Sequence, residues 1–126
     1  SLYNEDYLQI ILQNDQVLAS YRCLHIFHLK NLPHFNRQRG WEQGNRLIQR
    51  FAVELQARYR DALLFRAYGR DFVVITQDHF ELGPNDLLFE SLKGSGLEVV
   101  PHHLDLRTGT LYGIHKLDKF EVRSQP

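Results

Sequence analysis

The sequence has a single cysteine, Cys23, no methionine, and no excess of charge of either sign. One thiol permits neither an internal disulfide nor a cysteine-based zinc centre, which fits a reducing compartment such as the cytoplasm. Lysine plus arginine is 15 and aspartate plus glutamate is 15, so the formal charge is zero. The basic excess expected of a binder of nucleic-acid polymers is missing. No apolar run reaches the roughly 18–20 residues of a membrane span. No basic segment followed by an apolar one marks a signal peptide. Direct membrane insertion is therefore not expected, although the chain can be the cytoplasmic part of a membrane-anchored protein. Repeats and low-complexity blocks are also missing, and Gly94-Ser95-Gly96 is too short a linker to separate domains. What is present is 126 residues, 43% hydrophobic and 24% charged, enough for one soluble domain, 1–126, with its own core. With no methionine and a start at Ser1, the chain is expected to be a fragment of a larger multidomain protein.

Periodicity lays out the elements. Asn4 can cap a short helix whose first turn carries Glu5 and Asp6, with Tyr7, Leu8, Ile11 and Leu12 at helical spacing. Arg22 to Leu29 reads as a buried strand. Lys30 to Arg39, containing Pro33, reads as a connection that can include a helical turn. The clearest helix runs from about Trp41 to Arg60. Leu47, Phe51, Leu55 and Tyr59 form its stripe, Ile48 and Ala52 widen it, and Arg50, Glu54 and Arg58 remain in water. Strands at Ala62–Ala67 and Phe72–Thr76 follow, joined by a hairpin in which Gly69 takes positive φ. A second helix is expected to open at Gly83-Pro84-Asn85 and end at Gly94. Leu97 to Val100 is a last core strand that resumes after Pro101. A turn is expected at Arg107-Thr108-Gly109-Thr110, and the charged tail from Lys116 to Pro126 is expected to fray. From residue 22 the order is β-α-β-β-α-β. That is an α+β fold with the ferredoxin-like or palm arrangement, an antiparallel central sheet with two helices on one face.

The hairpin Arg66 to Phe72, RAYGRDF, is the first candidate for chemistry, since a tight turn at a sheet edge presents backbone N–H groups and charged side chains. A plain exposed turn is the bland alternative. Arg66 and Asp71 can pair across it, and Arg70 can face a carboxylate or water. The histidines offer no metal site within a segment: His102 and His103 are adjacent, His25 and His28 three apart, and on a strand each pair points to opposite faces. Ser91 and Ser95 lack a nucleophile's context, and Cys23, buried mid-strand, is inert.

Four segments in order resemble the diguanylate cyclase (GGDEF) family. Tyr68-Gly69-Arg70-Asp71-Phe72 resembles the GGDEF turn. Gly40-Trp41-Glu42-Gln43-Gly44-Asn45 is similar to the family's GHxxGD. His28 to Asn36 lines up without gaps against DxDxFKxIN, and Leu2-Tyr3-Asn4 resembles GLYN. The resemblance runs from Leu2 to Phe72, and beyond that only a helix-then-strand order agrees.

It implies a cyclase-like fold. Active relatives condense two GTP molecules into cyclic di-GMP across two facing domains, using divalent metals held by acidic side chains. In this chain the family's first metal-binding aspartate falls on His28, and the acidic third position of the turn on Arg70, whose guanidinium repels Mg²⁺. The fourth position keeps an acid, shortened to Asp71. Tyr68 replaces the first glycine, and its ring is expected to obstruct phosphate. Only Gly69 and Phe72 survive unchanged. No Mg²⁺ or other cofactor is expected. The guanine-binding asparagine is retained as Asn36, while the aspartate that accepts from guanine falls on Asn45, which supplies one acceptor and no charge. Asn45 also reads simply as an early helix residue. Arg58-Tyr59-Arg60-Asp61 has the RxxD form of the family's cyclic di-GMP site, displaced by one residue, and surface charge is the preferred reading of it.

The resemblance therefore implies a catalytically inactive regulatory or interaction domain in bacterial cyclic di-GMP signalling. Its partners would be other domains of the same protein, such as a cyclic di-GMP phosphodiesterase (EAL) domain, or a second copy in a homodimer. The alternative is a receptor for cyclic di-GMP or GTP without cyclase activity. A residual enzyme using Asp71 with an unconventional metal site is the third reading.

Overall fold

The computed structural model describes residues 2–78 and 89–108, together with the backbone of 111–113. Two short helices, α1 (Glu5–Leu12) and α2 (Asp15–Leu18), precede the central strand β1 (Cys23–Leu29). Then come α3 (Leu32–Arg39), α4 (Trp41–Arg58), and the hairpin strands β2 (Leu63–Ala67) and β3 (Asp71–Thr76). A 3₁₀ turn (Glu90–Leu92), β4 (Val99–Asp105) and β5 (Leu111–Gly113) complete it. The sheet order is β2-β3-β1-β4-β5, with every pair antiparallel. This is the expected α+β arrangement, since two split βαβ units interleave to put β1 between β3 and β4.

Local chemistry places the first elements. The Asn4 side chain accepts from the Tyr7 backbone N–H at 3.0 Å and starts α1 as expected, satisfying one of the amides a helix N-terminus leaves open. Tyr3 extends along the outer edge of β2. Its N–H donates to Leu64 O, and its carbonyl accepts from Arg66 N, which covers an edge otherwise open to pairing.

The sheet is buried on both sides. Phe27, Leu29, Phe72 and Val74 meet Phe35 of α3 and Ile48, Phe51 and Leu55 of α4 on one face. Leu24, Ile26, Val73 and Ile75 meet Leu8, Leu12 and Leu18 on the other. The sequence predicted cover for one face only; α1 and α2 supply the second. Truncating a fully buried side chain such as Phe51 costs about 3–5 kcal/mol, so α4 is held mainly by its packed stripe.

Several boundaries differ from expectation. The Lys30–Arg39 connection is a two-turn helix, since Pro33 sits in its first turn, where a missing N–H costs nothing. Helix α4 ends at Arg58, leaving Arg60 and Asp61 in the turn beyond it. Cys23 is the first residue of β1 rather than mid-strand, and it is buried. Pro101 lies inside β4. Positions 83–88 of the second expected helix lie outside the described residues, as do Gly109, Thr110 and the tail from Lys116. The described end of that helix is the 3₁₀ turn.

Glu54 does not remain in water. Its carboxylate accepts from the Glu90 and Ser91 backbone N–H groups, each at 2.9 Å, and from Ser91 Oγ at 2.5 Å, tying α4 to the 3₁₀ turn. Burial pushes its pKa up, but the Ser91 and Glu90 hydrogen bonds and the nearby Arg58 outweigh that and hold it below the usual value. Asp105 likewise accepts from Arg107 and Thr108 N–H and pairs with Arg22 at 3.3 Å.

A buried histidine pair joins β1 to β4. His25 and His103 sit opposite each other in register, with Nδ1 atoms 2.6 Å apart. The Thr76 hydroxyl donates to Asp78 O, so it accepts from His25 Nε2–H at 3.1 Å. Neutral His25 then has a bare Nδ1, and His103 Nδ1–H donates to it. Burial, and secondarily the His103 charge, lower the His25 pKa from 6.5 to about 3. The unfolded chain thus takes up a proton below pH 6.5 while the native state refuses it. Stability is full above pH 6.5 and falls towards pH 3, by up to about 1.4 kcal/mol per pH unit from this group. Urea midpoints should drop between pH 7.5 and 5, and a His25→Gln variant should show a flatter profile over that range.

Candidate functional site

Helices α3 and α4 turn about Gly40, whose φ of 88° suits a residue without Cβ. Their junction faces the β2–β3 turn across a cavity of about 400 Å³. Asn36, Arg37, Trp41 and Asn45 line the helical side, and Arg66, Gly69 and Arg70 the hairpin side. Leu32, Pro33 and Ile48 make its apolar wall. The structure thus brings Asn36 and Asn45 together with Gly69 and Arg70 of the signature turn.

Asn36 is buried, and its Oδ1 has no hydrogen-bond partner. That oxygen lies against Gly44, where an added Cβ would overlap it. Gly44 is therefore the residue that lets Asn36 occupy the cavity wall. Asn45, one residue on, is exposed on the first turns of α4.

The turn is built from positive φ at both Tyr68 (52°) and Gly69 (77°). The Tyr68 ring does not obstruct the cavity as expected. It packs against the opposite core, where its hydroxyl accepts from Gln9 Nε2 at 2.6 Å. Arg66 and Asp71 do not pair across the hairpin. Arg66 stands opposite Phe72 and Asp71 opposite Ala67, so strand alternation sends them to different faces. Arg66 donates to Gly69 O at 3.2 Å and lies over the Phe72 ring. Burial lowers its pKa below the ordinary arginine value.

Asp71 is fully buried and meets His28 Nδ1 at 2.6 Å, the two being register partners across β1 and β3. The metal position at His28 is thus taken by an imidazole whose Nδ1 is engaged by the one acid kept in the turn, Asp71. Phe72 is buried against Phe51.

Arg58 and Asp61 line a separate cavity of about 320 Å³, together with Tyr59, Thr76 and Asp78. It lies at the other end of α4, a helix of 18 residues and about 27 Å at 1.5 Å per residue. Arg58 is engaged there, pairing with Glu54 at 3.3 Å and stacking over Phe89 at 4.5 Å.

Sequence reasoning missed Trp41, Arg37 and the His25–His103 pair. The signal for Trp41 was a large aromatic at the head of a helix, off its apolar stripe; the structure leaves it 72% exposed.

No protein-family model and no curated protein matches the chain. Solved structures do. The GGEEF domain of an active diguanylate cyclase from Vibrio cholerae superposes with a TM-score of 0.62 at 16% identity, covering 95% of this chain and 84% of that one. A sensory box/GGDEF family protein from Caulobacter crescentus gives 0.61 at 22% identity, over 88% and 79%. A diguanylate cyclase/phosphodiesterase from Caldicellulosiruptor saccharolyticus gives 0.58 at 14% identity, over 82% and 71%. The fold is that of GGDEF diguanylate cyclase domains. Among the described residues, no helix is long and apolar enough to cross a membrane.

Gly44→Ala would raise helix propensity by up to about 1 kcal/mol at an open site. Here it should instead destabilise by about 1–3 kcal/mol through overpacking on Asn36. Urea denaturation should show that loss, and Asn36→Ala in the same chain should restore most of it.

Proposed function

We propose that this chain is a GGDEF-like regulatory domain of cyclic di-GMP signalling that lacks cyclase activity and modulates an output domain of its own protein, such as an EAL phosphodiesterase. The likeness to cyclase domains supports the signalling context. The observation that carries the inactive reading is the His28–Asp71 pair, together with Arg70 at the third position of the turn. Mg²⁺ needs several hard oxygen ligands. At these positions an imidazole, a carboxylate already bound to that imidazole, and a guanidinium stand instead. This donor set does not fit a divalent metal.

A second reading is a nucleotide receptor. It is favoured by the convergence of Asn36 and Asn45 on one cavity. The Arg58–Asp61 site is less favoured, because Arg58 is held by Glu54 and Phe89.

Prolonged incubation with GTP and Mg²⁺ or Mn²⁺ should give no cyclic di-GMP, and product would refute the inactive reading. Calorimetry should show no Mg²⁺ uptake by the unmodified domain, while His28→Asp with Arg70→Asp should gain it. Replacing the domain within the full-length protein should change the output activity.

A further inference from the structure

The cavity between the α3–α4 junction and the hairpin has a one-sided charge. Arg37, Arg66 and Arg70 line it, and among the described residues no carboxylate does. Neither Arg37 nor Arg70 makes an ion pair with any described residue. Asp71, next in sequence to Arg70, is turned to the other face of the sheet and bound by His28. Guanidinium groups match phosphate oxygens in a bidentate fork and keep their charge at all accessible pH. Three of them line one cavity with no carboxylate among the described lining residues, which suits a polyanion.

The rest of the wall fits a planar ring. Leu32, Pro33 and Ile48 form an apolar floor, and the exposed Trp41 stands at the rim, where an aromatic face can stack on a base. Asn45, on the helical side of the cavity, is placed to meet the edge of such a ring. A carboxylate there would offer only acceptors, matching the adjacent N–H groups of guanine. An amide offers one acceptor and one donor. That pair matches the N6 amino group and ring nitrogen of adenine, and equally the N1–H and O6 of guanine.

We infer that this cavity binds purine nucleotides of either base, with their phosphates held by arginine in place of a divalent cation. The inference rests on the receptor reading of the same cavity given above. It goes further in naming a cation-independent and base-tolerant ligand class.

Calorimetric titration of the domain with ATP and GTP, in EDTA and in excess Mg²⁺, tests it. Dissociation constants for the two nucleotides should agree within about tenfold, and EDTA should not weaken them. Arg70→Ala should weaken ATP at least tenfold while leaving adenosine unchanged. Trp41→Ala should weaken both. These side chains are exposed or half-buried, so the variants are expected to fold, and their urea midpoints check it. Asn45→Asp should shift the preference towards guanine by roughly tenfold or more, the worth of one two-point base contact. A preference beyond tenfold for either base in the unmodified domain, or a requirement for Mg²⁺, would overturn the inference and leave the receptor reading standing. Binding of neither nucleotide would overturn both, and leave the inactive regulatory role untouched.

Discussion

Strand β1 lies between two antiparallel neighbours and is packed on both faces, and its register with β3 governs what the site can be. Side chains on a strand alternate, so His28 and Asp71 go to one face together while Phe27 and Phe72 go to the other. The same alternation carries Arg66 to the cavity side. A one-residue slip would exchange the two sets, exposing Val73 and Ile75 to the wrong core and moving Asp71 towards the arginines. Each face is filled by its own set of side chains, Phe27, Phe72 and Val74 on one and Leu24, Ile26, Val73 and Ile75 on the other, and the close packing of each set opposes such a slip. The cores therefore determine the sign of charge in the cavity, although none of their residues is charged.

The elements legible in the sequence are those whose cause is local. The Asn4 cap, the four-residue stripe of α4 and the Gly69 turn each depend on neighbours within a few positions, and the structure reproduces them. Helix α3 was not legible because its polar surface leaves little periodicity, and Pro33 reads as a breaker unless it is known to occupy the first turn. The His25–His103 contact joins residues 78 apart, so a survey of histidine spacing within segments could not reach it. Glu54 fails in the same way: its position on the helix is solvent-like, but its partners are amides 36 and 37 residues away.

The candidate site divides along the same line. Asn36, Asn45 and the turn were legible as ordered motifs, and the fold brings them to one cavity. Arg37 belongs to no motif, and Trp41 stands in the Gly40–Asn45 segment without a role assigned to it; only the angle between α3 and α4 makes them part of the wall. Tyr68 shows the limit of reading a turn from side-chain size alone. Its positive φ sends the ring to the far face, where Gln9 fixes it, and a residue expected to fill the cavity instead leaves it open.

The balanced total of 15 cations and 15 anions conceals an unequal distribution of tasks. Several carboxylates are consumed as structural acceptors: Glu54 on the 3₁₀ turn, Asp105 on the β4 turn and Arg22, and Asp71 on His28. Each satisfies groups that would be costly to bury unpaired. The arginines are placed differently at the two ends of α4. At its C-terminus Arg58 is neutralised by Glu54 in an i,i+4 pair and covered by Phe89. At its N-terminus Arg37, Arg66 and Arg70 line an open volume with no carboxylate partner among the described residues, although Arg66 lies over Phe72. Two cavities of similar size thus differ in unbalanced charge, and a ligand's phosphate has an electrostatic reason to enter only the one at the head of the helix.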